Sequence, residues 1–238
     1  MAPTVTFVPG FMQRGEAWQP VAGVLAERYR VKCLDFATWT FEERLDEIAA
    51  ATRQGDALVG YSMGGRLALH AALAAPDKLA ALVLIGVSAG VEDREERRRS
   101  DESLAAWMEQ RSIEEVVERW ELSPVFATQS EELRERQRRG RLSHDPRLLA
   151  QLLRTAGQGT MEPVWDRLHT LRCPVLLVAG DHDEGYASAA RRMARCMPNA
   201  TVRLVPNTGH APQLERPDLV ADLLDEYLRD RAIVDREP

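Results

Sequence analysis

The chain has 238 residues, a length that fits one large domain or one domain with a sizeable insertion. Its formal net charge of −6 argues against binding to the phosphate backbone of nucleic acids, and no apolar run reaches the roughly 18 residues of a membrane span. The first residues enter a strand-like pattern without a charged leader, and three cysteines (Cys33, Cys173 and Cys196) lack the spacing of a disulfide framework or zinc site. We therefore expect a cytoplasmic protein that binds neither nucleic acid nor membrane.

Short apolar runs rich in Val and Leu recur along the chain, and each is closed by Gly, Pro, Asp or Asn. Such runs predict strands that are buried on both faces, as in a parallel sheet. In chain order the predicted strands are 4–8, 31–36, 57–62, 81–86, 174–180 and 201–206. The predicted helices between and after them are 16–29, 41–53, 63–75, 185–196 and 217–229. This alternation predicts right-handed βαβ units and an α/β fold with a mainly parallel, doubly wound sheet.

The alternation stops between the fourth and fifth predicted strands. The intervening stretch is dense in charge, shows helical periods of apolar residues, and is too long for a structureless loop in a compact domain. We therefore predict an inserted helical cap. The predicted division is a core of residues 1–88 and 170–238 and a cap of residues 89–169, and residues 230–238 are predicted to fray.

Residues Gly60-Tyr61-Ser62-Met63-Gly64 match the pattern G-x-S-x-G, with a predicted strand before them and a predicted helix after them. In this context the serine sits on a sharp strand-to-helix turn, which lifts its hydroxyl out of the sheet toward the helix N-terminus. A glycine-rich turn that holds an incidental serine would show the same letters. The motif favours a nucleophile, and a serine nucleophile requires a histidine and an acid.

One of the five histidines, His210, lies between the last predicted strand and the last predicted helix. For the acid, the end of the fifth strand offers Asp181, Asp183 and Glu184. Asp183 is far enough beyond the strand to turn toward a histidine, whereas Asp181 is expected to support the turn. Solvated loop acids are the alternative, but the order Ser62, Asp183, His210, each after a strand, predicts a catalytic triad.

Two further features concern the charge that a reaction would develop and the charge of the substrate. An oxyanion hole needs two backbone N–H groups, and we assign them to Met63, which follows the serine, and to Phe11, in the loop after the first strand. Arg66 lies one helical turn beyond Ser62 in an otherwise apolar helix. A guanidinium binds a carboxylate through two parallel hydrogen bonds, so Arg66 is predicted to bind an anion; a salt bridge to a cap glutamate is the alternative.

Together these residues make the chain resemble the α/β-hydrolase superfamily over nearly its full length. Finer features are similar to one member family, the 2-succinyl-6-hydroxy-2,4-cyclohexadiene-1-carboxylate synthases of menaquinone biosynthesis. The segments that carry this resemblance are 60–69, 95–101, 119–129, 145–154, 163–168 and 209–217. The most specific are the elbow with its trailing arginine and the W-x-x-x-P-V-F segment of the predicted cap.

The resemblance implies a lyase whose triad removes a proton from a cyclohexene substrate, so that pyruvate is eliminated. The substrate carries several carboxylates, and the residues that the resemblance assigns to its binding are Tyr61, Arg66, Arg97, Trp120 and Arg141. A one-residue slip would put Arg98 or Arg99 in the place of Arg97. No metal cluster or nucleotide loop is visible in the sequence, so no cofactor is expected.

The residues leave other functions open. A carboxylesterase or thioesterase would use the same triad through a Ser62 acyl-enzyme, and a ligand-binding receptor can keep fold and triad alike. Some positions depart from the family pattern: residues 9–11 read Pro-Gly-Phe where His-Gly-Phe is usual, residues 35–43 lack the Asp-x-x-Gly-x-Gly turn, and a position that is often lysine falls within residues 184–186. We expect a monomer or small homo-oligomer that takes a small anionic substrate.

Overall fold

A computed structural model of the protein describes residues 4–229. The segment predicted to fray, 230–238, lies outside the described residues. Six strands form one sheet in the order β2-β1-β3-β4-β5-β6, and every neighbouring pair is parallel. The strands are β1 (Thr4–Val8), β2 (Arg30–Cys33), β3 (Ala57–Tyr61), β4 (Ala81–Ile85), β5 (Val175–Gly180) and β6 (Ala200–Val205). The sheet order reverses at β1, so the predicted doubly wound parallel sheet is confirmed.

The helices of the described chain alternate with these strands. They are α1 (Gln19–Leu25), α2 (Phe41–Ala51), α3 (Ser62–Ala74), α4 (Arg94–Met108), α5 (Ile113–Glu121), α6 (Glu131–Leu142), α7 (Pro146–Ala156), α8 (Glu184–Cys196), α9 (Pro212–Glu215) and α10 (Pro217–Arg229). Short 3-10 helices span Gly15–Trp18, Pro124–Phe126 and Trp165–Thr170. Four of the α-helices, α4 to α7, lie between β4 and β5, where the sequence predicts an inserted helical segment.

Two elements are shorter in the structure than the sequence predicts. The second strand was expected to run to residue 36, but β2 ends at Cys33. The chain leaves the sheet there because the Asp35 carboxylate accepts a hydrogen bond from the Gly15 N–H at 2.8 Å, which draws it toward the loop after β1. The first helix was expected over 16–29, but it is divided into the 3-10 turn and α1, and residues 26–29 form the turn into β2.

Side chains of the central strands fill two hydrophobic clusters, one on each face of the sheet. Leu58 and Leu82 belong to the cluster that also contains residues of α2, α3 and the inserted helices. Val59 and Val83 point the other way, into the cluster that contains residues of α1 and α10. Because neighbouring residues of a strand alternate between faces, both faces are covered, as the apolar strand sequences predict.

This topology places the site. In a doubly wound sheet the loops that follow the strands at their carboxyl ends meet at one edge, and the candidate nucleophile, acid and histidine follow β3, β5 and β6. Within residues 4–229, no helix combines the length and the apolar character that crossing a membrane requires. The cytoplasmic location and the small oligomeric state stay predictions from the sequence.

Candidate active site

Ser62 occupies a strained turn between β3 and α3. Its φ angle is +51°, in the left-handed region that non-glycine residues seldom adopt. The chain can turn so sharply because its neighbours lack side chains: a Cβ atom on Gly64 would lie 2.2 Å from the Pro9 carbonyl oxygen. The elbow therefore packs directly on the loop after β1, and its hydroxyl lies at the N-terminus of α3.

The structure brings Ser62, Asp183 and His210 into one hydrogen-bonded chain. The Nε2 atom of His210 lies 3.1 Å from Ser62 Oγ, and its Nδ1 atom lies 2.8 Å from Asp183 Oδ2. The carboxylate partner favours the tautomer with the proton on Nδ1, so Nε2 can accept a proton from the serine hydroxyl. His210 is buried and Asp183 is half-buried, which limits competition from water for these hydrogen bonds.

The loop that carries His210 is held by two carboxylates. Both oxygens of Glu215 accept hydrogen bonds from the amides that flank the histidine, Gly209 N–H at 2.9 Å and Ala211 N–H at 3.2 Å. Asp181 accepts from the Thr208 N–H at 3.3 Å, so it braces the turn as the sequence predicts. Glu215 is not among the predicted site residues, although it follows His210 by only five residues.

The two residues predicted to form the oxyanion hole lie beside the nucleophile. Phe11 and Met63 line the same cavity as Ser62. The loop that carries Phe11 is fixed by Gln13, whose side-chain oxygen accepts from the Gly10 N–H at 3.1 Å and whose own N–H donates to the Gly10 carbonyl at 3.2 Å. This loop lies close to the start of α3, since a Cβ atom on Gly64 would approach the Pro9 carbonyl oxygen to 2.2 Å.

The cavity above the triad has a volume of about 330 Å³ and is lined by three arginines, of which Arg66 and Arg141 are buried and Arg97 is exposed. Arg66 is only 8% exposed, forms no ion pair with a described residue, and has an Nε that finds no hydrogen-bond partner there. The salt bridge to a cap glutamate is therefore absent from residues 4–229. Burial lowers the pKa of Arg66 to about 10, so the group remains charged at neutral pH. Because a buried charge without a partner is unfavourable, Arg66 favours an anionic ligand in this cavity.

Arg97, on α4, lines the cavity, whereas its neighbours do not. Arg98 and Arg99 are exposed and pair with Glu95 on the same helix. The Nε of Arg97 donates to Asp101 Oδ1 at 2.8 Å, and Asp101 is itself buried. Of the three arginines that the sequence left open, the structure places Arg97 at the cavity.

Arg141 and Trp120 come from α6 and α5 and also line the cavity. Arg141 donates through Nη1 to Glu121 at 3.0 Å, and its guanidinium carbon lies 5.6 Å from the centre of the Phe126 ring. The Trp120 ring is in edge contact with Phe126 at 5.6 Å. Unlike Arg66, Arg141 already has a carboxylate partner, although burial still lowers its pKa.

Comparison with known proteins identifies the fold family. The pattern of the alpha/beta hydrolase family matches residues 7–223 of the chain. The chain belongs to the alpha/beta hydrolase family. This match confirms the predicted α/β fold and the resemblance to the α/β-hydrolase superfamily.

Two bacterial relatives of this alpha/beta hydrolase bear the same name. A protein of Salmonella heidelberg (strain SL476) named 2-succinyl-6-hydroxy-2,4-cyclohexadiene-1-carboxylate synthase is 31% identical over 175 residues, 72% of this chain and 68% of that protein. A Bacillus subtilis (strain 168) protein that provisionally bears the same name is 34% identical over 177 residues. The match covers 72% of this chain but only 65% of the length of the Bacillus protein.

Solved structures show the same likeness over more of the chain. MenH from S. aureus superposes with a TM-score of 0.89 at 28% identity, covering 97% of this chain and 95% of that one. A thermophilic esterase from Thermogutta terrifontis, solved with malate bound, superposes with a TM-score of 0.81 at 25% identity, covering 96% and 90%. The fold is therefore shared with proteins that carry different activity names.

Several residues that line the cavity of this alpha/beta hydrolase are not among the predicted site residues. Gln13, Phe126, Gln158 and Tyr186 all line it. Phe126 is the last letter of the W-x-x-x-P-V-F segment, and Tyr186 follows the candidate acid by three residues, so both carried a usable signal. Gln158 follows α7 in a turn with no motif of its own.

Proposed function

We propose that the protein is a cofactor-independent lyase of the 2-succinyl-6-hydroxy-2,4-cyclohexadiene-1-carboxylate synthase type. It eliminates pyruvate from a succinyl-enolpyruvyl-cyclohexene carboxylate. The observation that carries the proposal is the cavity in which a Ser–His–Asp chain faces Arg66, a buried arginine without a partner among the described residues. The names of the relatives and the likeness to MenH from S. aureus support the same assignment.

The first step of the proposed reaction is removal of a proton from the carbon next to the succinyl ketone. Ser62 Oγ takes this proton while its own proton passes to His210 Nε2, 3.1 Å away. Asp183, at 2.8 Å from Nδ1, stabilises the imidazolium that results and keeps the ring in orientation. The two electrons of the broken C–H bond form an enolate.

The second step is elimination. The enolate oxygen lies against the N–H groups of Phe11 and Met63, which stabilise its negative charge. When the enolate collapses, a ring C=C bond forms and the bond from the ring carbon to the enolpyruvyl oxygen breaks. The leaving enolate of pyruvate takes up the proton held by His210, which restores the resting triad.

The arginines bind the carboxylates of the substrate. Arg66 comes from α3 of the core, and Arg97 and Arg141 come from α4 and α6 of the inserted helices. We propose on this basis that residues 89–169 act as a cap on a core of residues 1–88 and 170–238. A site lined by arginines from both parts fits a polyanion better than an acyl chain, because Arg66 is a buried cation without a partner among the described residues and disfavours an apolar ligand.

A serine esterase or thioesterase is the second candidate. The same triad can attack a carbonyl carbon and form an acyl-enzyme, and the likeness to an esterase at 25% identity favours it as the alternative. A receptor that binds without turnover is the third. The lyase releases pyruvate, the esterase or thioesterase cleaves an ester, and the receptor forms no product, so the products separate the three.

The test is pyruvate release from the labile substrate, generated in the same solution by the enzyme that forms it. We expect release well above the spontaneous rate, abolished by Ser62→Ala. Arg66→Ala should lower kcat/KM about 10- to 100-fold because a charge-assisted contact is lost, while Arg98→Ala, on the exposed face of α4, should leave it unchanged. Background release together with Ser62-dependent cleavage of p-nitrophenyl acetate would instead establish an esterase.

A further inference from the structure

Tyr186 touches two members of the triad from the first turn of α8. Its ring centre lies 4.5 Å from that of His210, and the two rings are tilted by 44°. Its N–H donates to Asp183 Oδ1 at 3.4 Å, the oxygen that His210 does not use. The side chain is half-buried and lines the cavity together with Ser62. The tyrosine is thus built into the wall that the substrate meets.

The hydroxyl of Tyr186 has a defined direction. Gln158 Nε2 donates to Tyr186 Oη at 3.3 Å, and the Gln158 side chain is buried. The turn that carries Gln158 is held in turn by Asp101, whose Oδ2 accepts from the Gly159 N–H at 3.1 Å. Because the amide fills an acceptor site of the phenol oxygen, the phenol hydrogen stays available to donate.

The arginine in the same cavity indicates which ligand group the Tyr186 hydroxyl contacts. Arg66, which is buried and forms no ion pair with a described residue, is the candidate anion-binding group nearest in function to this hydroxyl. Both side chains line one cavity, and Gln158 lines it as well. A carboxylate has about four lone-pair sites, of which a guanidinium fork fills two. A bound carboxylate therefore retains acceptor sites for a hydroxyl donor beside the arginine.

We propose that Tyr186 is a substrate-binding residue whose hydroxyl donates a hydrogen bond to the carboxylate that Arg66 binds, with Gln158 directing that hydroxyl. The inference rests on the proposed function in so far as the ligand is a carboxylate. It adds a neutral hydroxyl donor beside the arginines, and it connects the triad to the turn after α7 through one hydrogen bond.

The decisive variant is Tyr186→Phe, which keeps the ring against His210 and removes only the hydroxyl. With the pyruvate-release assay we expect KM to rise about tenfold and kcat to stay within about twofold, as for the loss of one hydrogen bond to a charged group. Tyr29→Phe is the matched control, because the Tyr29 hydroxyl contacts Asp225 at 3.4 Å, outside the cavity. It should leave both constants unchanged.

A double-mutant cycle tests the role of Gln158. Gln158→Leu should raise KM in the same direction as Tyr186→Phe, and the double variant should be no worse than Tyr186→Phe alone. Additive effects of the two changes would show that Gln158 does not direct the hydroxyl and would overturn that part of the inference.

Direct binding separates this inference from the lyase assignment. We would titrate wild type and Tyr186→Phe with 3-benzoylpropanoate, a keto acid with one carboxylate, and with its methyl ester, which has none. About tenfold weaker binding of the acid alone would support the hydroxyl–carboxylate contact even if no pyruvate were released. Equal affinities of the acid for the two proteins, parallel losses for acid and ester, or no binding of the acid to wild type would each overturn it.

Discussion

Replacing Glu121 with glutamine removes the one negative charge from a buried cluster that contains two arginines. Glu121 closes α5, and its carboxylate accepts from Arg141 Nη1 at 3.0 Å and from Arg138 Nη1. The side chains of Arg141 and Glu121 are 3% and 9% exposed, whereas that of Arg138 is 34% exposed. The substitution therefore leaves a buried guanidinium next to an uncharged amide.

The burial of the ion pair determines how much free energy of unfolding the substitution should remove. Removing one partner of a buried ion pair costs about 3–5 kcal/mol because the other charge stays buried without compensation. Glutamine keeps the shape and one acceptor oxygen, and Arg138 is open to water, so we expect the lower end, about 3 kcal/mol. For a domain of this size, that loss lowers Tm by about 6–12 °C.

Urea unfolding followed by tryptophan fluorescence measures this free energy. The matched control is Glu132→Gln, the same substitution in an ion pair with Arg136 whose side chains are 81% and 59% exposed. Exposed pairs contribute at most about 1 kcal/mol, so the control should change little. Losses of equal size in the two variants would refute the view that burial gives the Glu121 pair its strength.

Three further predictions concern backbone and pH. Ser62→Gly should be more stable than Ser62→Ala by about 1 kcal/mol in thermal unfolding, because only glycine adopts the φ of +51° without strain; equal stabilities would exclude strain at the elbow. Gly64→Ala should lose more than about 3 kcal/mol or fail to fold because its Cβ would lie 2.2 Å from a backbone oxygen, whereas Gly23→Ala, with nothing within 4 Å of its Cβ, should gain up to about 1 kcal/mol. Burial lowers the pKa of His144 from 6.5 to about 4, so the unfolded chain binds a proton first and stability should fall as pH drops from about 6.5 to about 4. His144→Phe should remove about 3 kcal/mol of that fall, and an unchanged pH profile would contradict this reasoning.

Features determined by neighbouring residues could be read from the sequence. Short apolar runs predict the strands, and the glycines close to Ser62, which the sharp turn requires, predict the elbow. The predicted partners Asp183 and His210 also follow from local position, because each comes directly after a strand of a sheet whose carboxyl ends share one edge. In the structure the three residues lie within hydrogen-bond distance.

Other features depend on contacts between distant parts of the chain. The second strand ends early because the Asp35 carboxylate accepts a hydrogen bond from the N–H of Gly15, which lies twenty residues before it in the chain. Three adjacent arginines look alike in sequence, and only the packing of α4 turns Arg97 to the cavity and leaves Arg98 and Arg99 paired with Glu95. No local pattern distinguishes such residues, because helix periodicity carries an uncertainty of one position.

The alpha/beta hydrolase fold, the order of its strands along the chain and the strained serine were determined by the sequence itself, since each follows from the backbone preferences and hydrophobic periods of adjacent residues. Only the tertiary structure decided which charges remain without a partner. Arg66 is buried and unpaired among the described residues, Arg141 is held by Glu121, and Tyr186 meets Gln158 across 28 positions of the chain. Such pairings arise when separate elements pack together, and they set the chemistry that the cavity can accept.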